Sequence, residues 1–120
     1  MRTFGTLIRP SVSAELDAAR FADRRGAAPE AFSHLERAHI LGQQSTVQHA
    51  RVHASMLFWA LRQRIWREVA GQVVRLIGAL TKTPFGLVPT GNTGGVNVSP
   101  FESMPIPADL QKIINNARPK

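Results

Sequence analysis

Hydrophobic residues repeat at helical spacing through the middle of the chain. Apolar side chains recur every three or four positions in four successive stretches, which predicts four amphipathic α-helices. The predicted helices cover residues 13–25, 29–41, 45–61 and 66–80. The connections between them are short, so consecutive helices should lie antiparallel, with their four apolar stripes facing one core within residues 13–82.

The pattern changes after Lys82. Residues 83–107 contain five of the eight prolines, and the run 90–97 is rich in Gly and Asn, so this segment cannot form a continuous helix. We predict a loop or strap here, followed by a short helix over residues 108–116. The whole chain, 1–120, is then one all-α domain of antiparallel helical hairpins. The expected apolar anchors of the strap are Phe101, Met104 and Ile106.

The chain contains a weak internal repeat. The first copy resembles the second half of a tetratricopeptide repeat, a helical hairpin in which small residues allow close packing. The second copy has Arg64 where the first has the turn residue Gly26, an offset of about 38 residues against the usual period of about 34. Two hairpins are fewer than such a stack normally needs, so we expect the strap or a homodimer to cover the open face. The matching positions are Gly26, Ala31, Leu35 and Ala38 in the first copy, and Trp66, Val69, Val73 and Leu76 in the second.

Several separate stretches agree, in order, with one known family. The chain resembles a family of short bacterial proteins that is described only as a domain of unknown function. That resemblance implies no catalytic or binding residues, because no activity is established for the family. The matching stretches are HLERAHILGQ at 34–43, the pair His49 and His53, WRE at 66–68, PTGNTGGVN at 89–97 and MPIP at 104–107.

Charge and composition narrow the function classes. The chain carries 15 Lys and Arg against 8 Asp and Glu, a net charge of +7, and the cations are mostly Arg, which favours an acidic partner. The arginines are dispersed without interleaved aromatic residues, so nucleic-acid binding ranks only third among our hypotheses. The chain has no cysteine, which excludes disulfides, thiolate metal sites and thiol catalysis.

The sequence gives no sign of membrane insertion or export. Its most apolar run, 54–61, is much shorter than the roughly 20 residues that a membrane-spanning helix needs. The first residues carry Arg2, Arg9 and Pro10 and lack the apolar core of a secretory signal. We therefore expect a cytoplasmic protein.

All four histidines lie within residues 34–53. His49 and His53 are four residues apart, which places both imidazoles on one helix face. An antiparallel hairpin would bring His39 to the same height, with Glu36 one turn before it. These spacings predict a site for zinc, nickel or copper made of the three histidines, with Glu36 as a fourth or outer group. The alternative is that the histidines are buried packing residues, with His34 at the surface.

Two other features could carry chemistry. The run 91–97 could cradle an anion with its backbone N–H groups, but it lacks the ending of a phosphate loop. The alternative is a cluster of turns that docks the tail on the helices. No serine lies in a nucleophile elbow, and Glu36 and Glu68 suit surface pairing with nearby arginines, so we expect no enzymatic activity.

These observations lead to an ordered set of hypotheses. The first is a non-enzymatic helical interaction module that binds a protein or acidic peptide along a face bordered by Arg51, Arg62 and Arg75. The second is a small metal-binding protein that uses the histidine cluster. The third is a basic nucleic-acid-binding protein, whose affinity would fall steeply with salt.

Overall fold

The computed structural model describes residues 2–99 and 101–119, and all regular secondary structure within those residues is helical. The all-α prediction is therefore confirmed. A single 3₁₀ turn, Thr83–Phe85, follows the fourth helix. The α-helices are α1 (Phe4–Arg24), α2 (Ala28–Gly42), α3 (Thr46–Gln63), α4 (Trp66–Lys82) and α5 (Ala108–Asn116).

Helix α1 begins well before the predicted start at Ser13. Thr3 caps the helix, because its side chain accepts a hydrogen bond from the Thr6 backbone N–H. Pro10 lies inside the helix but on its exposed side, where water can satisfy the carbonyl that proline leaves unpaired. Ile8 extends the buried stripe of α1 toward the N-terminus, and Phe4 and Leu7 also pack against the core, so this burial offsets the cost of the proline.

The helices pair as two hairpins whose turns are built alike. Helix α1 packs chiefly on α2, and α3 packs chiefly on α4. In each turn one residue lies in the left-handed region, Gly26 with φ 75° and Arg64 with φ 56°. In both turns the backbone N–H of the following residue donates to a carbonyl in the last turn of the helix. Ala27 donates to the Ala22 carbonyl at 2.9 Å, and Ile65 donates to the Ala60 carbonyl at 3.0 Å. The positions predicted to correspond in the two copies thus have corresponding backbone geometry.

The hydrophobic core lies between α1, α2 and α3, and α5 covers one side of it. Leu110 and Ile114 of α5 are fully buried against α1 and α2, so the tail supplies burial that two hairpins alone would lack. Met104 and Ile106 of the strap are half-buried, whereas Phe101, an expected anchor, is 73% exposed. The Phe101 ring lies instead beneath the Lys82 ammonium, at 4.7 Å.

The prediction that all four apolar stripes face one core is wrong for α4, whose apolar stripe is largely exposed. Its buried residues are Glu68, Gln72 and Ala79, whereas Ile77 is 59% exposed. The polar side of the helix turns inward because its buried side chains hydrogen-bond groups in the interior. The exposed apolar residues of α4 include Val73, Val74, Ile77 and Leu80.

No helix within the described residues has the length and apolar character needed to cross a membrane.

Candidate metal centre

Three buried histidines converge at the junction of the two hairpins. His39 lies in the last turn of α2, and His49 and His53 lie on one face of the first two turns of α3. Their Nε2 atoms are 3.0 Å apart for His39 and His49, 3.1 Å for His39 and His53, and 3.0 Å for His49 and His53. We call these residues the three-histidine cluster. Each is less than one-tenth exposed.

The other ring nitrogens of His39 and His49 bind groups from the tail. His39 Nδ1 lies 2.6 Å from the backbone carbonyl of Asn92, which can only accept a hydrogen bond. That contact places the proton of the neutral His39 imidazole on Nδ1. His49 Nδ1 lies 2.7 Å from the Thr83 hydroxyl, which can accept its proton in the same way.

His53 is oriented by a polar chain on α4. His53 Nδ1 lies 2.6 Å from Gln72 Oε1, while the Gln72 amide nitrogen donates to Glu68 Oε2 at 2.6 Å and to the Gly94 carbonyl at 2.9 Å. Those two acceptors fix the orientation of the Gln72 amide, so its oxygen faces the imidazole. His53 therefore also carries its proton on Nδ1.

These tautomers direct Nε2 lone pairs at one another. His39 and His53 can each only accept at Nε2, so at most one of the three Nε2 contacts can be a hydrogen bond, through the alternative His49 tautomer. A shared cation would remove this repulsion. Nitrogen–metal bonds of about 2.0–2.1 Å are compatible with these separations, so the three Nε2 atoms would hold one ion and leave its remaining coordination open to another ligand.

The electrostatics keep the imidazoles in the form that binds metal. Burial, and then the neighbouring histidines, set the pKa of His39 well below its ordinary value. Burial likewise lowers the pKa of His49 to about 3 and the pKa of His53 to about 4. All three rings are thus neutral near pH 7, and a neutral ring nitrogen is what a metal ion requires.

The structure places Glu36 outside the ligand atoms, so it is not a fourth ligand, and it places Glu68 in the interior. Glu36 is half-buried, with its pKa raised by burial, and it lies outside the group of ligand atoms that the cluster forms. Glu68, which we expected at the surface, is buried and accepts hydrogen bonds from Gln72 and from the Val96 backbone N–H. The sequence signal for this role is a Glu and a Gln four residues apart, a spacing that places both side chains on one face of α4.

The run 91–97 forms a cluster of turns against the histidines. The Gly94 N–H donates to the side-chain oxygen of Asn92, and the Asn92 amide nitrogen donates to the Ser99 carbonyl at 2.8 Å. Gly94 has φ +86°, and a Cβ atom there would lie 2.5 Å from Cδ2 of His39, so only glycine fits. The turns thus dock the tail on the cluster, as the second interpretation of this run expects.

The three arginines proposed for partner binding make internal contacts with different parts of the chain. Arg51 donates to Ser13 Oγ at 2.9 Å, and Arg62 pairs with Asp23 at 2.8 Å. Arg75 donates to the carbonyls of the turn cluster, including that of Gly94 at 2.7 Å. Among the described residues the three arginines share no hydrogen-bond partner, and Arg75 holds the turns that pack against the three-histidine cluster.

The comparisons with known proteins give a family without an assigned activity. No curated protein and no solved structure matches the chain. The family described as protein of unknown function (DUF3703) matches residues 6–114, a range that contains the three-histidine cluster and its hydrogen-bond partners. Since this match covers most of the chain, the protein belongs to the DUF3703 family of proteins of unknown function.

Proposed function

We propose that this protein binds one divalent transition-metal ion, with zinc as the principal candidate, through the Nε2 atoms of His39, His49 and His53. The observation that carries the proposal is the convergence of three buried Nε2 atoms within 3.1 Å, two of them fixed as lone-pair donors by their Nδ1 partners. Imidazole nitrogen suits zinc, copper and nickel. Three protein ligands with an open position are typical of sites that exchange a ligand at the metal.

A packing role explains this geometry less well. A buried histidine that serves only the core is expected to use both ring nitrogens in hydrogen bonds, and an unsatisfied buried acceptor costs about 1–3 kcal/mol. The three-histidine cluster concentrates such acceptors at one point. We propose ion binding alone as the function of this site.

Titration of zinc and cobalt(II) into the chelator-treated full chain tests this function. We expect saturable binding of one ion per chain, lost in His39→Ala, His49→Ala and His53→Ala. The matched control is His34→Ala, because His34 bonds Glu15 on the first hairpin and should leave binding unchanged. Absence of binding to the wild-type chain would overturn the proposal, and so would an equal loss in the His34 variant.

The exposed stripe of α4 favours a second function, helical interaction. Val73, Ile77 and Leu80 are 43%, 59% and 54% exposed, and contiguous apolar surface of this kind is typical of interfaces. We propose that a second copy of the chain covers the stripe, in line with the expected homodimer. Sedimentation should show a dimer that Ile77→Glu dissociates and that Phe21→Glu, a control at an exposed position of α1, leaves intact. A monomeric wild type would contradict this function.

The expected cytoplasmic location rests on the sequence and stays part of this proposal.

A further inference from the structure

We propose that the cavity beside the three-histidine cluster binds an organic anion with an apolar body, whose carboxylate occupies the open position of the metal. This inference rests on the proposed metal site and names the class of ligand that the site would take.

The cavity has the size and shape of a small-molecule site. Its volume is about 590 Å³, within the usual range for such sites, and the three histidines line its buried end. One wall is a face of α4 on which small residues leave room, and a Cβ atom on Gly78 would meet nothing within 4 Å. The facing wall is apolar and comes from the tail. The wall residues that matter here are Gly78 and Ala79 on α4, and Leu87, Val88 and Val96 on the tail.

The charges around the cavity select an anion. Arg67 and Lys82, both exposed, line it at opposite ends of α4, and a bound divalent ion would add positive charge at the buried end. The described residues that line the cavity include no Asp or Glu to balance these charges. Arg75 also lines it, but its guanidinium donates to the Gly94 and Val98 carbonyls. A carboxylate satisfies the metal, and the long-range field of the two exposed cations attracts it.

The apolar walls select the rest of the ligand. Aliphatic side chains dominate the lining between the histidines and the mouth, so burial of hydrocarbon would supply most of the binding free energy. A short polar anion such as acetate would reach the metal without filling this space. The site therefore fits a carboxylate with a chain or ring of several carbons.

Octanoate, titrated into the cobalt(II)-loaded full chain, is the probe. We expect a saturable change in the visible absorption of cobalt(II), with affinity at least about tenfold higher than for acetate, octanol or octylammonium. Equal affinity for acetate would overturn the apolar body, and equal affinity for octanol would overturn the anion. If cobalt(II) binds but octanoate leaves its spectrum unchanged, the inference fails and the metal site stands. If cobalt(II) does not bind, the metal site itself fails.

Two variants locate the ligand. Gly78→Leu places a side chain in the cavity and should lower octanoate affinity about tenfold or more while cobalt(II) still binds, whereas Thr81→Leu, on an exposed position of the same helix, should change neither. The double variant Arg67→Glu and Lys82→Glu alters only exposed positions and should weaken octanoate without loss of cobalt(II). Octanoate binding that is unchanged in both the Gly78 and the charge-reversal proteins would overturn the location.

Discussion

His53 has different requirements at its two ring nitrogens. Nε2 must keep a lone pair for the metal, so Nδ1 must hold the proton, and Gln72 Oε1 accepts it at 2.6 Å. Gln72 is itself held by Glu68, so a buried carboxylate acts on the imidazole through an amide. Outer partners of this kind orient the ring and raise its basicity. The two α4 side chains are therefore positioning residues for the proposed site.

Gln72→Leu should weaken zinc binding by about 10- to 100-fold, because the leucine has a similar size but cannot accept the proton of His53. Competition with a chelating dye measures the effect. Gln111→Leu, which removes a glutamine that bonds Asn115 on α5, is the matched control. Zinc affinity equal to that of the wild type in the Gln72 variant would show that the amide does not position the ring.

The lowered histidine pKa values predict how the metal-free protein responds to acid. In the unfolded chain each histidine takes up a proton near pH 6.5. In the folded chain His49 stays neutral down to about pH 3 and His53 down to about pH 4. The unfolded state thus binds more protons, and the contribution to stability that is present above pH 6.5 is lost as the pH falls. Each such proton adds a slope of about 1.4 kcal/mol per pH unit.

Urea unfolding of the chelated protein should therefore show stability that falls steeply between about pH 6.5 and about pH 4. The double variant His49→Gln and His53→Gln should fall less steeply by up to about 2.8 kcal/mol per pH unit, since two protons no longer contribute. A slope equal to that of the wild type would contradict the assignment of neutral buried histidines.

At the scale of elements, the two hairpin turns use different residues for the same backbone geometry. Gly26 adopts its positive φ without strain, whereas Arg64 carries a side chain at φ 56°. Arg64→Gly should therefore raise the free energy of unfolding by about 0.5–1 kcal/mol, as measured by urea unfolding. Gly26→Ala should lower it by about 1 kcal/mol, because its Cβ would meet no atom and only the backbone strain remains. Destabilisation by Arg64→Gly would show that the Arg64 side chain outweighs the strain.

The offset of 38 residues that relates Gly26 to Arg64 also relates two polar pairs, each of which joins the two helices of one hairpin. In the first hairpin His34 Nδ1 lies 2.9 Å from Glu15 Oε1, and in the second His53 Nδ1 lies 2.6 Å from Gln72 Oε1. Position 15 corresponds to 53 and position 34 to 72, so the helix that carries the imidazole is exchanged. In the first hairpin Glu15 also accepts a hydrogen bond from Arg37. In the second, Nε2 of His53 faces the other two histidines of the cluster. The three-histidine cluster thus includes a position that is polar in both hairpins.

Local spacing predicted part of this centre and left the rest hidden. The four-residue separation of His49 and His53, and the short turn after His39, bring the three rings together by chain geometry alone. Thr83 and Asn92 come from a segment without periodicity, so no pattern showed that they would reach the histidines. The orientation of α4, with its polar side buried, could not be predicted from hydrophobic periodicity, because that pattern assigns apolar residues to the core. In α4, hydrogen bonding to the site determines which side is buried.

At the scale of the whole molecule, the tail and the cluster depend on each other. Gly94→Ala would force a Cβ atom into the His39 ring, whereas Gly86→Ala, also at positive φ, would meet no atom within 4 Å. Both variants carry the same kind of backbone strain, but only the first should weaken zinc binding, by about tenfold or more. A dye-competition titration measures it. Equal zinc affinities in the two variants would show that the close approach at Gly94 does not position His39.

Zinc should in turn order the tail. A bound ion would fix the rings of His39 and His49, whose Nδ1 atoms contact Asn92 and Thr83, so opening of this segment would break the proposed site. At zinc concentrations about 100 times the dissociation constant, amide exchange of residues that open with the site, such as Gly94, should slow by about 100-fold. The amide of Leu7, in the first turn of α1, opens by local fraying and serves as the control. Mass spectrometry of hydrogen exchange measures both, and exchange at Gly94 that zinc does not slow would show that the tail closes independently of the metal.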